Sequence, residues 1–170
     1  MIDRVLAEAG VSRAELAGTT ANAEIPLGTA LINRRIAEYL TRTPGKVAAV
    51  VVEPQPDDVF LVHVRMRATF VPPLTMRLVI VEQPELPASP VLVMRWSLEG
   101  GLGWLAKAAS PALAVFQVLP PGIRVDGDLL GIDIAELLRS KELGWVVPLL
   151  RRLRVSTSAT GVALQITAGL

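Results

Sequence analysis

One histidine and no cysteine occur among the 170 residues, so few side chains are suited to nucleophilic chemistry. A serine–histidine system would have to use His63, which lies near Arg65 in an alternating stretch. A single histidine in such a stretch is also typical of a structural or exposed side chain. The chain contains no Gly-x-Ser-x-Gly, Walker or dinucleotide-binding glycine pattern. We therefore expect that the protein is not an enzyme and uses no cofactor.

Three acidic residues, Asp126, Asp128 and Asp133, lie close together in the sequence. Their carboxylates could be imagined around a calcium ion, but their spacing lacks the loop pattern and the terminal glutamate of an EF-hand. Asp126-Gly127-Asp128 is instead typical of a tight turn between two strands. The sequence therefore predicts turn chemistry here and no metal site.

Arginines supply the other chemical pattern. If two predicted hairpins turn at Pro72 and Leu86, then Arg67, Arg77 and Arg95 form a row across three strands. The row is either solvated, with its stems lying over the sheet, or an anion-binding site for a phosphate, a lipid headgroup or nucleic acid. Like charges directly opposite each other destabilise a sheet by a few tenths to about 1 kcal/mol. Both interpretations stay open.

Three predicted strands between Val59 and Leu98 position these arginines. Apolar and polar residues alternate along them, and successive strand residues point to opposite faces. The same register pairs Met66 with Leu78 and Leu78 with Met94. One face is therefore predicted to be buried, and it consists of the apolar residues Phe60, Val62, Val64, Met66, Ala68, Phe70, Leu74, Met76, Leu78, Ile80, Leu92, Met94, Trp96 and Leu98.

The composition is apolar for a chain of this size. Hydrophobic residues make up 51%, charged residues only 19%, and the mean hydropathy is +0.47, whereas about 25% of residues are charged in an average domain. Either the core is large, or apolar surface faces a cavity, a partner or a membrane. The net charge of +1 produces no overall field that would attract nucleic acid.

Further elements are predicted on both sides of the three strands. They are short helical turns in 2–16, a linker at 18–23, an extended piece at 25–27, a helix at 30–41 capped by Thr29, a strand at 47–52, an apolar helix at 102–119, a hairpin of 123–125 and 129–134, a helical segment at 135–153 interrupted near Gly144 and Pro148, and a hairpin of 154–157 and 162–168. The expected fold is α+β, with a curved antiparallel sheet (a meander plus C-terminal hairpins) packed on apolar helices. Residues 1–23 form short N-terminal helices and a linker, and residues 24–170 form a single domain.

An apolar segment followed by arginines lies near the C-terminus. The residues 145–150 contain Trp145 and are followed by Arg151, Arg152 and Arg154. This combination is typical of an interfacial segment at a membrane. It is also typical of a core helix whose final turn carries cations at the negative end of the helix dipole. The sequence does not choose between the two.

Three segments resemble bacterial tubular lipid-binding (TULIP-like) proteins. Residues 25–33 (Ile-Pro-Leu-Gly-Thr-Ala-Leu-Ile-Asn) look like the opening helix of that group, and a long meander follows. Residues 119–125 and 130–134 look like later strands of its small phospholipid-binding members. The resemblance covers residues 24–170. It implies a curved sheet around a helix, with an apolar groove for acyl chains.

The apolar residues named above would line such a groove, where each buried methylene of a lipid contributes about 0.8 kcal/mol. The predicted lining residues are Phe60, Val62, Val64, Met66, Met76, Leu78, Met94, Trp96, Trp104, Phe116 and Trp145. The three methionines suit this role, since methionine adapts to irregular and varied contacts.

The first functional hypothesis is therefore non-enzymatic binding of lipid or acyl chains in an apolar groove, at or near a membrane surface. The alternative is a structural or protein-interaction module that forms a homo-oligomer, such as a homodimer, through an apolar surface. A third hypothesis is an anion binder that uses Arg67, Arg77 and Arg95, although nucleic acid is not the expected partner. The sequence shows no secretory signal and no apolar run of about 18 residues. We expect a cytoplasmic protein peripheral to the membrane.

Overall fold

The computed structural model describes residues 18–43, 45–68, 72–99 and 121–169. Within these residues, nine strands, two α-helices and one 3-10 helix are present. The predicted helical turns of 2–16 and the predicted helix of 102–119 lie outside them. The strands are β1 (Thr20–Gly28), β2 (Val47–Gln55), β3 (Val59–Met66), β4 (Leu74–Glu82), β5 (Val91–Glu99), β6 (Ile123–Asp126), β7 (Leu129–Asp133), β8 (Leu150–Ser158) and β9 (Gly161–Gly169). The helices are α1 (Thr29–Arg42), α2 (Ile134–Ser140) and the 3-10 helix Gly144–Leu149.

The strands form two sheets in which every pair is antiparallel. The large sheet has the order β2-β3-β4-β5-β7-β6, and the small sheet has the order β1-β9-β8. The predicted antiparallel meander is confirmed, since β2 to β5 pair in sequence order. The prediction of one sheet is wrong, because the C-terminal hairpin pairs with β1 rather than with the meander. The long exposed strand β1 is the strand with which this hairpin pairs.

Of the fourteen meander residues predicted to be buried by alternation, eight are buried, five are partly buried, and Phe70 lies outside the described residues. Val64 is 1% exposed and Met76 is 3% exposed, and both lie in a hydrophobic cluster on the inner face of the large sheet. Leu40 of α1 packs against this cluster. The cluster consists of Val47, Val62, Val64, Met66, Leu74, Met76, Leu78, Met94 and Leu130.

A second cluster joins the two sheets. Leu92 of the large sheet and Val155 and Val162 of the small sheet are buried in it. Ile32 of α1 packs against the same cluster, so the helix contributes to both apolar clusters. This packing holds the inner faces of the two sheets against each other.

Three boundaries differ from the predictions. The predicted linker at 18–23 belongs mostly to β1, whose residues are exposed and therefore lack an apolar alternation. Thr29 is the first residue of α1 rather than its cap, since Gly28 occupies the cap and the Thr29 hydroxyl donates to the Thr160 carbonyl at 3.4 Å. The predicted helical segment ends early, because β8 begins at Leu150 and pairs with β9.

Two side-chain amides bind the backbone of edge strands. The Asn33 amide donates to the Val52 carbonyl of β2 at 2.9 Å, and its oxygen accepts from the Val52 N–H at 2.7 Å. Gln83 makes the same pair of bonds to Val155 of β8, at 2.7 and 2.9 Å. Unpaired strand edges invite association with other chains. Each amide therefore satisfies backbone groups that a further strand would otherwise contact.

Replacing Asn33 with alanine should lower the free energy of unfolding by about 2 kcal/mol. The change leaves a partly buried donor and acceptor of Val52 without their partner, and such groups cost roughly 1–3 kcal/mol. Urea denaturation followed by circular dichroism measures the difference. Asn22→Ala is the control, because Asn22 is exposed and accepts one bond from Thr167. Equal stabilities of the two variants would contradict the proposed role of Asn33.

Candidate functional site

Most residues predicted to line a lipid groove lie in the inner-face cluster of the large sheet. Trp96 is half-buried and its indole N–H donates to the Gly127 carbonyl at 3.1 Å. Trp145 is not among these core residues, since it is 43% exposed. Trp104 and Phe116 lie outside the described residues. Six of the predicted lining residues are buried together, namely Val62, Val64, Met66, Met76, Leu78 and Met94, and Phe60 packs against them.

The register of the two predicted hairpins is wrong. Leu78 pairs with Phe60 on one side and with Trp96 on the other, rather than with Met66 and Met94. The pairing partners shift by an even number of residues, so the inner face stays inner. The pairing of the first hairpin is centred three residues before Pro72, and that of the second is centred one residue after Leu86, which stays in the turn.

The predicted arginine row is consequently not formed. Arg77 lies between Leu61 and Ser97 on the neighbouring strands. Arg67 lies beyond the end of β3, and Arg95 forms an ion pair at 3.3 Å with Asp128. The three arginines therefore do not face one another, and the described geometry gives them no common anion site.

The single histidine takes part in a polar row on the outer face of the large sheet. His63 Nδ1 lies 3.1 Å from the Thr75 hydroxyl, and Nε2 lies 3.6 Å from Glu53 Oε2. A hydroxyl, an imidazole and a carboxylate are the components of a nucleophile triad. These three side chains, however, border none of the three clefts that the structure describes. The two contacts connect the imidazole on β3 to side chains of β2 and β4.

The clustered aspartates have separate structural contacts. Asp133 accepts a hydrogen bond at 2.9 Å from the Glu136 N–H and thereby caps α2. Asp128 pairs with Arg95. In the described part of the chain, no group of three or more histidine, aspartate or glutamate side chains is arranged to hold a metal ion.

An apolar tip follows α2. The helix ends in a Schellman arrangement, in which the Leu143 N–H donates to the Leu138 carbonyl at 2.8 Å and the Glu142 N–H donates to the Arg139 carbonyl at 3.0 Å. This turn precedes the 3-10 helix that carries Trp145. Leu143 is 42% exposed, similar to Trp145. We refer to Leu143 and Trp145 as the tip.

Cations surround the tip in sequence. Residues 139–154 contain five arginines and lysines and one acid, whereas the whole chain has a net charge of +1. Arg151, Arg152 and Arg154 of β8 are exposed, and none of them forms an ion pair with the residues that the structure describes. We refer to these three as the β8 arginines. Trp145 lies in the 3-10 helix Gly144–Leu149 and the β8 arginines follow directly after this helix, so the tip and the arginines are adjacent in the chain.

A cleft of about 540 Å³ borders the β8 arginines. Its opposite wall is the loop between β4 and β5, which carries Glu82 and Glu85. Leu153, Leu86 and Val91 are among its apolar lining residues. Sequence reasoning missed this cleft, because the loop and β8 are distant in the chain and no local pattern connects them.

In comparisons with known proteins, no family model, no curated protein and no solved structure matches this chain. The described helices include none that is both long and apolar enough to cross a membrane. The tip, the β8 arginines and the cleft are the features of the described residues that bear on function.

Proposed function

We propose that this chain binds phospholipid at a membrane surface without catalysing a reaction. The observation that carries the proposal is the exposure of Leu143 and Trp145 in a stretch of the chain, 139–154, that contains five cations and one acid. Exposed apolar side chains that adjoin basic residues are the usual components of interfacial binding. Tryptophan in particular prefers the boundary between acyl chains and headgroups.

The two components suit two depths of a bilayer surface. The tip would enter the acyl boundary, while the β8 arginines extend to the phosphate layer. Arginine is suited to this contact, because its guanidinium binds phosphate through two parallel hydrogen bonds. The long stems of these side chains also allow the charged groups to reach headgroups while the strand stays above them.

The resemblance of residues 24–170 to tubular lipid-binding proteins supports the same class of ligand. It adds a finer prediction, namely that an acyl chain contacts the inner-face cluster and the predicted lining residues. Met66, Met76 and Met94 all belong to that cluster, and their flexible side chains suit such a contact. Native mass spectrometry after gentle purification would detect co-purifying acyl-chain masses.

Removing the tip should weaken membrane binding. We expect the double variant Leu143→Ser, Trp145→Ser to bind vesicles of mixed phosphatidylethanolamine and phosphatidylglycerol roughly 30-fold more weakly. Each exposed side chain would bury about half of its apolar surface in lipid, which contributes about 1 kcal/mol each. Vesicle flotation across a range of lipid concentrations measures the affinity.

Val51→Thr, Val81→Thr is the matched control, because both valines are about as exposed as the tip residues but lie on the large sheet. The control should bind vesicles like the wild type. Equal binding by the tip variant and the wild type, or a wild type that does not float with vesicles, would contradict the proposal.

The second candidate function is a protein-interaction module that forms a homo-oligomer. The observation that favours it is β1, an edge strand of nine residues whose outer side pairs with no strand in the described ranges. Light scattering after size-exclusion chromatography tests it. A ligand-free dimer that does not bind vesicles would favour the protein-interaction function over lipid binding.

A further inference from the structure

The cleft beside the β8 arginines has walls of opposite charge. Glu82 and Glu85 lie on the wall formed by the β4–β5 loop, and the β8 arginines lie on the other. Among the described residues, none of these five side chains belongs to an ion pair. The carboxylates and guanidinium groups therefore line the same cleft without neutralising each other by contact.

Hydrogen bonds to backbone groups fix the walls of the cleft. Gln83 binds both backbone groups of Val155 at 2.7 and 2.9 Å, which attaches the loop to β8. Within the loop, Glu85 and Ser89 exchange two backbone hydrogen bonds at 2.8 and 2.6 Å. A loop that is anchored in this way holds its backbone in place before any ligand arrives, which lowers the entropy cost of binding.

The charge pattern selects among ligand types. A simple anion would be attracted by the β8 arginines but repelled by Glu82 and Glu85. A simple cation would be attracted by the two glutamates but repelled by the arginines. A ligand with one phosphate and one amine is attracted at both walls. The volume of about 540 Å³ is within the usual range for small-molecule pockets.

We propose that this cleft binds a zwitterionic phosphodiester, with the phosphate on the β8 arginines and the ammonium group beside Glu82 and Glu85. The ligand is either the headgroup of an amine-bearing phospholipid or the corresponding free diester. Binding of a lipid headgroup in the cleft rests on the proposed membrane function, whereas binding of the free diester does not. Apolar residues of the cleft, including Leu153 and Val91, contact the carbon chain between the two charges.

A titration in solution tests the cleft without any membrane. We expect the wild type to bind glycerophosphoethanolamine roughly fivefold more tightly than glycerophosphoglycerol, which has the same phosphodiester but no amine. The variant Glu82→Gln, Glu85→Gln should lose this preference and keep its affinity for glycerophosphoglycerol. Isothermal titration calorimetry or chemical-shift changes measure both affinities.

The control variant is Glu38→Gln, Glu99→Gln, which makes the same change in net charge away from the cleft. It should retain the preference for the amine. The variant Arg151→Gln, Arg152→Gln, Arg154→Gln should bind neither diester. Equal affinity of the wild type for both diesters, no binding of either, or loss of preference in the control would overturn the proposal.

Vesicles distinguish the two sources of the ligand. If the ratio of binding to phosphatidylethanolamine-rich mixed vesicles over phosphatidylglycerol vesicles falls in the Glu82→Gln, Glu85→Gln variant, the ligand is the lipid headgroup. A preference in solution without binding to vesicles identifies the free diester as the ligand and overturns the membrane function alone. Vesicle binding that requires the tip, without any preference in solution, overturns the cleft proposal alone.

Discussion

Replacing Met76 with alanine is expected to lower the free energy of unfolding by about 3 kcal/mol. Met76 is 3% exposed, and its neighbours on the adjacent strands are Val62 and Leu98. Truncation of a buried methionine removes apolar contacts and leaves a cavity, which typically costs 2–5 kcal/mol. Urea denaturation of the purified variant measures the loss.

Met76→Leu is the matched control for this prediction. Leucine keeps nearly the same volume, so its cost should stay below about 1.5 kcal/mol. A cost below about 1 kcal/mol for Met76→Ala would show that the inner-face cluster is loosely packed around Met76. That result would contradict the prediction, and it would provide the space that an acyl chain beside Met76 requires.

Replacing Gly161 with alanine should destabilise the small sheet by about 3 kcal/mol. A Cβ atom at this position would lie 2.5 Å from the Leu27 carbonyl oxygen and 3.3 Å from the Gly28 Cα atom. Both belong to the backbone of β1, so the strand itself has to move. Added atoms in a packed region typically cost 1–3 kcal/mol, and here the displaced group also pairs with β9.

Gly28→Ala is a direct control, because Gly28 is the residue opposite Gly161 in the same strand pair. A Cβ atom on Gly28 meets no atom within 4 Å, and its φ of −65° suits alanine. Thermal unfolding should therefore separate the two variants by at least several degrees. Similar melting temperatures would show that β1 yields to the added methyl group without cost.

The inner face of the meander was predictable because alternation is a local property. Val62, Met76 and Met94 are apolar at every second position of their strands, and burial follows directly from that spacing. Register was not predictable from the same pattern. Shifting a strand by an even number of residues preserves the faces, so the alternation fits several registers equally well.

A different reason explains why the strand β1 could not be predicted. Its residues 20–24 are exposed and small or polar, so no apolar face distinguishes them from a linker. The strand forms because β9 supplies a partner from the other end of the chain. The start of β8 is similar, since the apolar residues Leu149 and Leu150 suit either a helix or a strand until the pairing with β9 is known.

The candidate sites were predictable only where their residues are adjacent in sequence. The interfacial interpretation of Trp145 and the following arginines needed only local composition. The cleft required Glu85 and Arg152 to be neighbours across a sheet boundary, and this arises from the Gln83–Val155 hydrogen bonds. Leu143 could be assigned to a candidate site only once the turn that ends α2 was known.

The two edge-binding amides also limit how copies of this protein can polymerise. In the part of the chain that the structure describes, each sheet has one edge strand with an amide on it, Asn33 on β2 and Gln83 on β8. Strand-by-strand growth of a fibre needs two open edges on the same sheet. Pairing through β1 uses the same strand on both copies, so growth of the small sheet closes after two molecules.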